Sequence, residues 1–209
     1  MAFGGPRAGE LGLQQGQLLV SAGGAAAAQA PPGLKEGVHV APDGLPVSKV
    51  VLRVEKILEI LRESPIRIAE ILEGVPAARL QSQPREGGWS AAEVLAHLRA
   101  CADVWGGCIE VLLTQDRPTI KAVNPKLYLR GVDYPRQRFG PSFDALKMQR
   151  AGLLRRLEAL TAADWRRSAT VTGAGAPLRR TVRDYAQRLA RHERTHWKQF
   201  KRLAEELRA

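Results

Sequence analysis

Apolar residues first recur with a helical period from Ser48 onward. In SKVVLRVEKILEILRE, the residues Val50, Val51, Val54, Ile57, Leu58 and Leu61 fall at steps of three and four, the stripe of an amphipathic helix. Ser64 followed by Pro65 reads as a cap and a first-turn proline, which predicts a restart or kink before IRIAEIL carries the stripe on. Gly74 and Pro76 end it. A second helix opens in GGWSAAEVLAHL, where Ser90 as N-cap and Glu93 three residues on form a capping box. Trp89 and Val94 have the spacing of a hydrophobic staple. The inward face of this helix runs through Val94, Leu98, Cys101, Trp105, Cys108 and Leu112, with His97 beside them. Residues 116–141 then break the period with four prolines and two glycines, a connection long enough to cross a domain or serve a site. Ser142 opens a third helix with Phe143, Leu146, Leu153, Leu154, Leu157 and Leu160 on its apolar side. After the Gly-rich turn VTGAGAPL, Thr181 with Asp184 starts a fourth, whose seam is Val182, Tyr185, Leu189, His192, His196, Gln199 and Leu203. Four such helices without strand alternation predict an all-α four-helix bundle. The long link between the second and third predicts an up-down-down-up order.

Residues 1–46 show neither period and are rich in Gly, Ala, Pro and Gln. They bury too little to offset their ordering entropy and read as a disordered tail, or as a start codon placed too early, ahead of a domain over residues 47–209. His39 lies in this segment and is discounted as a ligand. The stretch LLVSAGGAAAAQA has the apolar and small-residue parts of a secretory leader, but Glu10, several glutamines and Arg7 as the one positive side chain before it argue against export. No run of 18 apolar residues occurs, so no membrane span is expected.

At 209 residues the chain has room for one well-buried domain. A net charge of +11 raises nucleic acid as a partner. Arg191, Arg194, Lys198, Lys201 and Arg208 do line up opposite the fourth helix's seam, but no stacking aromatics are interleaved. A solvated face is the simpler reading, and a basic nucleic-acid-binding protein stays the weaker alternative. Cys101 and Cys108 are the two cysteines; on one helix they stand about 10 Å apart along the axis, beyond disulfide reach. A reducing, cytoplasmic setting fits.

The fourth helix carries HERTH, which matches the HExxH pattern of zinc peptidases. Such an enzyme takes its third ligand from downstream, and only 13 residues follow His196, ending in KRLAEELRA with Glu205 and Glu206 on the same helix. A peptidase is therefore not expected. His192 and His196 at i and i+4 instead converge on one point of the seam, where they are either core histidines satisfied by neighbouring carbonyls and hydroxyls or metal ligands. His97, on the inward side of the second helix, can reach the same point from a facing helix. Three neutral imidazoles around a divalent ion leave positions open for water or substrate. Glu193, beside the seam, is a candidate general base or a partner holding a ligand; the simpler alternative is a rim glutamate paired with arginine. Cys101, one turn after His97, reads as a small buried residue, a fourth ligand or a reactive thiol. Tyr128, Arg130, Tyr134 and Arg136 in the long connection are placed to cover a site.

Taken together, GGWSAAEVLAHL, the crossing connection and HERTH near the C-terminus resemble the DinB and YfiT-like superfamily over about residues 50–205. The resemblance implies that His97, His192 and His196 hold a divalent metal ion, zinc ahead of nickel, manganese or iron. It implies a metal-dependent enzyme of hydrolase or thiol S-transferase type, acting on a small-molecule substrate that includes low-molecular-weight thiols, and a homodimer. The long N-terminal segment and the strong basicity depart from that pattern, and no thiol-binding motif is present. The rival expectation is a non-catalytic bundle that binds a metal or a small ligand.

Overall fold

Four long helices dominate the computed structural model, which describes residues 51–85 and 87–208. The expected tail over 1–46, with His39 and the leader-like stretch, lies outside the described residues. Helix α1 spans Val54–Leu72 and buries Ile57, Ile60, Leu61, Ile68 and Leu72. The restart expected at Ser64-Pro65 does not occur: Pro65 lies inside one continuous helix. A proline removes one backbone bond, and here tertiary contacts hold the helix across it. Ser64 is no cap but a buried side chain, 1% exposed, whose hydroxyl accepts a hydrogen bond from Trp197 Nε1 at 3.2 Å.

Helix α2, Ala91–Thr114, begins with the expected reciprocal capping box. Glu93 N donates to Ser90 Oγ at 3.2 Å, and Ser90 N donates to Glu93 Oε2 at 2.7 Å. Trp89 and Val94 enter one apolar cluster with Leu95, Leu98 and Phe200. All of the predicted inward face is buried, and so are Ala96, Ala100 and even Arg99, so α2 is enclosed on most sides. The connection that follows is ordered into strand β1 (Thr119–Lys121), the short helix α3 (Pro125–Leu129) and a 3₁₀ turn at Tyr134–Arg136. Helix α4, Phe139–Glu158, starts three residues ahead of Ser142. Phe139 N donates to Gln81 Oε1 at 2.9 Å and ties that first turn down. Helix α5, Val182–Arg208, is entered through the expected Thr181 and Asp184 pair, each bonding the other's backbone amide.

The sequence pattern missed a small sheet. Strand β2 (Ser168–Thr172) pairs parallel with β1 and antiparallel with β3 (Leu178–Thr181). The Gly-rich turn is the link of this β2–β3 hairpin, with Gly173 at φ +84° and Gly175 at φ +93°. Periodicity failed here because the strands bury only Ile120 and Ala169.

In the bundle α5 packs along α1 and α2, and α4 packs along the same two. Arg183 Nη2 donates to Leu52 O at 2.5 Å near the start of α1, and Arg208 Nη2 donates to Ile71 O at 2.7 Å at its end. Arg99 of α2 reaches Ser142 of α4 at 3.0 Å, and Glu110 farther along α2 pairs with Arg156 farther along α4. No helix among the described residues is long and apolar enough to cross a membrane.

Candidate metal centre

The capping box fixes where α2 begins, and two turns on it places His97 at the interface with α5. From α5, the i and i+4 spacing brings His192 and His196 to the same place. His97 Nε2 lies 3.1 Å from His192 Nε2, and His192 Nε2 lies 3.2 Å from His196 Nε2. The ring centroids of His97 and His196 are 5.3 Å apart. His97 and His196 therefore both approach His192, although 95 residues separate His97 from His192. His97 and His192 are buried, at 5% and 6% exposure, and His196 is half-buried. Trp89 packs edge-on against His97 at 5.2 Å, and Trp105 against His192 at 5.1 Å, so aromatic walls set both rings.

Proton placement follows from the partners. His196 Nδ1 donates to Gln199 Oε1 at 2.7 Å, which leaves its Nε2 as the lone-pair nitrogen facing His192. One hydrogen on His192 Nε2 cannot serve both neighbouring nitrogens, and His192 Nδ1 is buried with no hydrogen-bond partner among the described residues. Burial above all, then the His196, His97 and Arg188 charges, pushes the His192 imidazolium down to about 2. Burial also lowers His196, with Lys126 adding to it and Gln199 opposing. These two imidazoles, His192 and His196, are held neutral, the form that ligates.

The donor spacing fits a divalent ion. Nitrogen donors about 2.0–2.1 Å from a tetrahedral zinc stand about 3.3 Å from each other, close to the 3.1 and 3.2 Å found. Cys101 lies in the same cluster, its Sγ 3.6 Å from His97 Nε2 and 4.0 Å from His192 Nε2. His97, Cys101 and His192 present donor atoms all within 4.8 Å of one another, a potential metal site.

Glu193 is not a rim residue. At 2% exposure its carboxylate pairs with Arg150 of α4, also 2% exposed, and bonds the Ser64 hydroxyl of α1. Burial raises its pKa and Arg150 holds it back.

The connection between α2 and α4 meets α2 at a residue that the sequence pattern did not single out. Asp103 Oδ2 accepts hydrogen bonds from Tyr134 at 2.6 Å and Tyr128 at 3.4 Å, while Gln149 of α4 holds its other oxygen. Arg99 stacks 3.8 Å over the Tyr134 ring. Burial raises Asp103, against the pull of both tyrosines, Arg99 and Gln149. The one signal in the sequence was an aspartate on a largely apolar helix. Lys126 of α3 lies 5.8 Å from the centroid of Trp89, the ring that flanks His97. Arg130 is exposed, and Arg136 pairs with Asp133 at the surface.

Fold and site together define a helical bundle with a buried imidazole cluster suited to a metal ion. The DinB superfamily match covers residues 60–200, and the chain belongs to that superfamily. The chain is also similar in fold to YfiT from Bacillus subtilis, at 17% identity and a TM-score of 0.58, over 83% of this chain and 92% of that one. YfiT is described as "a probable metal-dependent hydrolase with an unusual four-helix bundle topology". No match was found among curated proteins.

Proposed function

We propose that the protein is a metal-dependent enzyme of hydrolase type, with His97, His192 and His196 as the protein ligands of a divalent ion, zinc first. The observation that carries this is the meeting of three imidazole nitrogens from α2 and α5 at 3.1 and 3.2 Å. A divalent ion held there acts as a Lewis acid and lowers the pKa of a water or thiol bound beside the protein ligands. Gln199 keeps the proton of His196 on Nδ1, and Trp89 and Trp105 hold the other two rings. Glu193 is engaged by Arg150 and Ser64, which favours a role in positioning α5 over that of general base. The up-down-down-up order is part of the same reading: the ties from each end of α1 to the matching end of α5 support a parallel pair, as do those between α2 and α4.

The test is metal content of the untagged protein beside His97→Ala, His192→Ala and His196→Ala, with turnover on ester and amide panels before and after chelation. The expected result is a stoichiometric divalent ion, lost in each variant, and activity that chelator removes and metal restores. An unchanged metal content in all three variants would overturn the ligand set. A second reading, a non-catalytic metal-binding bundle, is favoured by the closeness of Cys101, which offers a fourth donor. Stoichiometric metal without chelator-sensitive turnover would support it.

A further inference from the structure

We infer that Cys101 is a fourth protein donor to the ion, through its thiolate; this rests on the reading of His97, His192 and His196 as ligands. Cys101 lies one turn after His97 on α2, so both side chains leave the helix on one face. The thiol is 1% exposed and turned toward the imidazoles. A thiolate about 2.3 Å and an imidazole about 2.0–2.1 Å from one tetrahedral ion stand about 3.6 Å apart. Cys101 Sγ is 3.6 Å from His97 Nε2 and 4.0 Å from His192 Nε2. With His97 and His192 the sulfur forms a group whose donor atoms all lie within 4.8 Å of one another, and His196 Nε2 stands 3.2 Å from His192 Nε2 beside it. The other cysteine serves as an internal contrast, since Cys108 is buried against the Tyr185 hydroxyl.

A thiolate changes the chemistry of the centre. It makes the donor set softer and selects zinc or cobalt over manganese or magnesium. Three imidazoles and one thiolate complete a tetrahedral set, so a substrate enters as an added ligand or in place of the sulfur.

Cobalt(II) titrated into the metal-stripped, untagged full chain reads this directly. The expected result is stoichiometric uptake with a thiolate-to-cobalt charge-transfer band in the near ultraviolet. Cys101→Ser and Cys101→Ala should lose that band while still taking up cobalt through the histidines, with affinity weakened by roughly tenfold or more, at least the effect of losing a partner behind a ligand. Cys108→Ala should keep the band. X-ray absorption of the zinc-loaded wild type gives the same answer without a variant: a sulfur shell at about 2.3 Å is expected. Stoichiometric cobalt with no thiolate band, or a zinc spectrum with no sulfur shell, overturns the thiolate and leaves the three histidines standing. A band that follows Cys108 overturns it too, and failure of the wild type to bind cobalt removes both readings.

Discussion

His192 is the residue on which the site's protonation turns. Its imidazolium is pushed down to about 2, by burial first and then by the His196, His97 and Arg188 charges, against 6.5 in the free side chain. Below pH 6.5 the unfolded chain binds a proton that the folded protein refuses, so the folded state is favoured above that pH and loses ground as pH falls toward 2. Between pH 7 and 5 this amounts to about 2 kcal/mol for one histidine. His196 works in the same direction, whereas the raised carboxyls of Asp103 and Glu193 take up protons when folded and oppose it. Denaturant unfolding of the metal-stripped wild type and of His192→Asn, at pH 7 and 5, isolates this contribution. The wild type should lose about 2 kcal/mol more than the variant, and parallel pH profiles would show that His192 titrates as an exposed histidine does. Of the site's residues, the three histidines were legible because ligand spacing and helical phase coincide. Asp103 was not, since its two tyrosine partners come from a connection with no period.

At the scale of elements, α4 and α5 are joined across the bundle by one buried pair, Arg150 with Glu193, to which α1 contributes Ser64. Arg150 Nε and Nη1 are buried with no hydrogen-bond partner among the described residues, so the pair is incompletely satisfied. Such a pair adds little net stability, yet breaking it strands a buried charge. Arg150→Leu should therefore cost about 3–5 kcal/mol in denaturant unfolding, while Arg150→Leu with Glu193→Leu should recover most of that. A single-variant loss under about 1 kcal/mol would mean that the carboxylate is already solvated. Helix existence was readable wherever caps and stripes agreed, as at Ser90 with Glu93 and at Thr181 with Asp184. Ser64 with Pro65 shows the opposite case, where a local restart signal yields to the packing of Ile60, Leu61 and Ile68 on either side. The β-strands were unreadable because strands of three to five residues with one buried side chain or none leave no alternation to detect.

For the whole molecule, the proposed centre joins α2 to α5 and so couples the helix behind the capping box to the last described helix. His97 and His192, 95 residues apart, come together only in the folded chain, so an ion that needs both helices binds the folded state and stabilises it by mass action. At a free concentration one hundred times its dissociation constant the gain is about 2.7 kcal/mol. For a domain of this size that raises the melting temperature by about 5–11 °C. Calorimetry of the untagged protein, stripped and then reloaded with zinc, measures the shift. His97→Ala separates a bridging site from a surface one, because α5 alone retains His192 and His196 and would still bind weakly in the unfolded chain. The rise should fall sharply in that variant and nearly vanish when Cys101→Ala is added; if it persists at full size in the double variant, the ion is held by α5 alone and the two helices are joined by packing only.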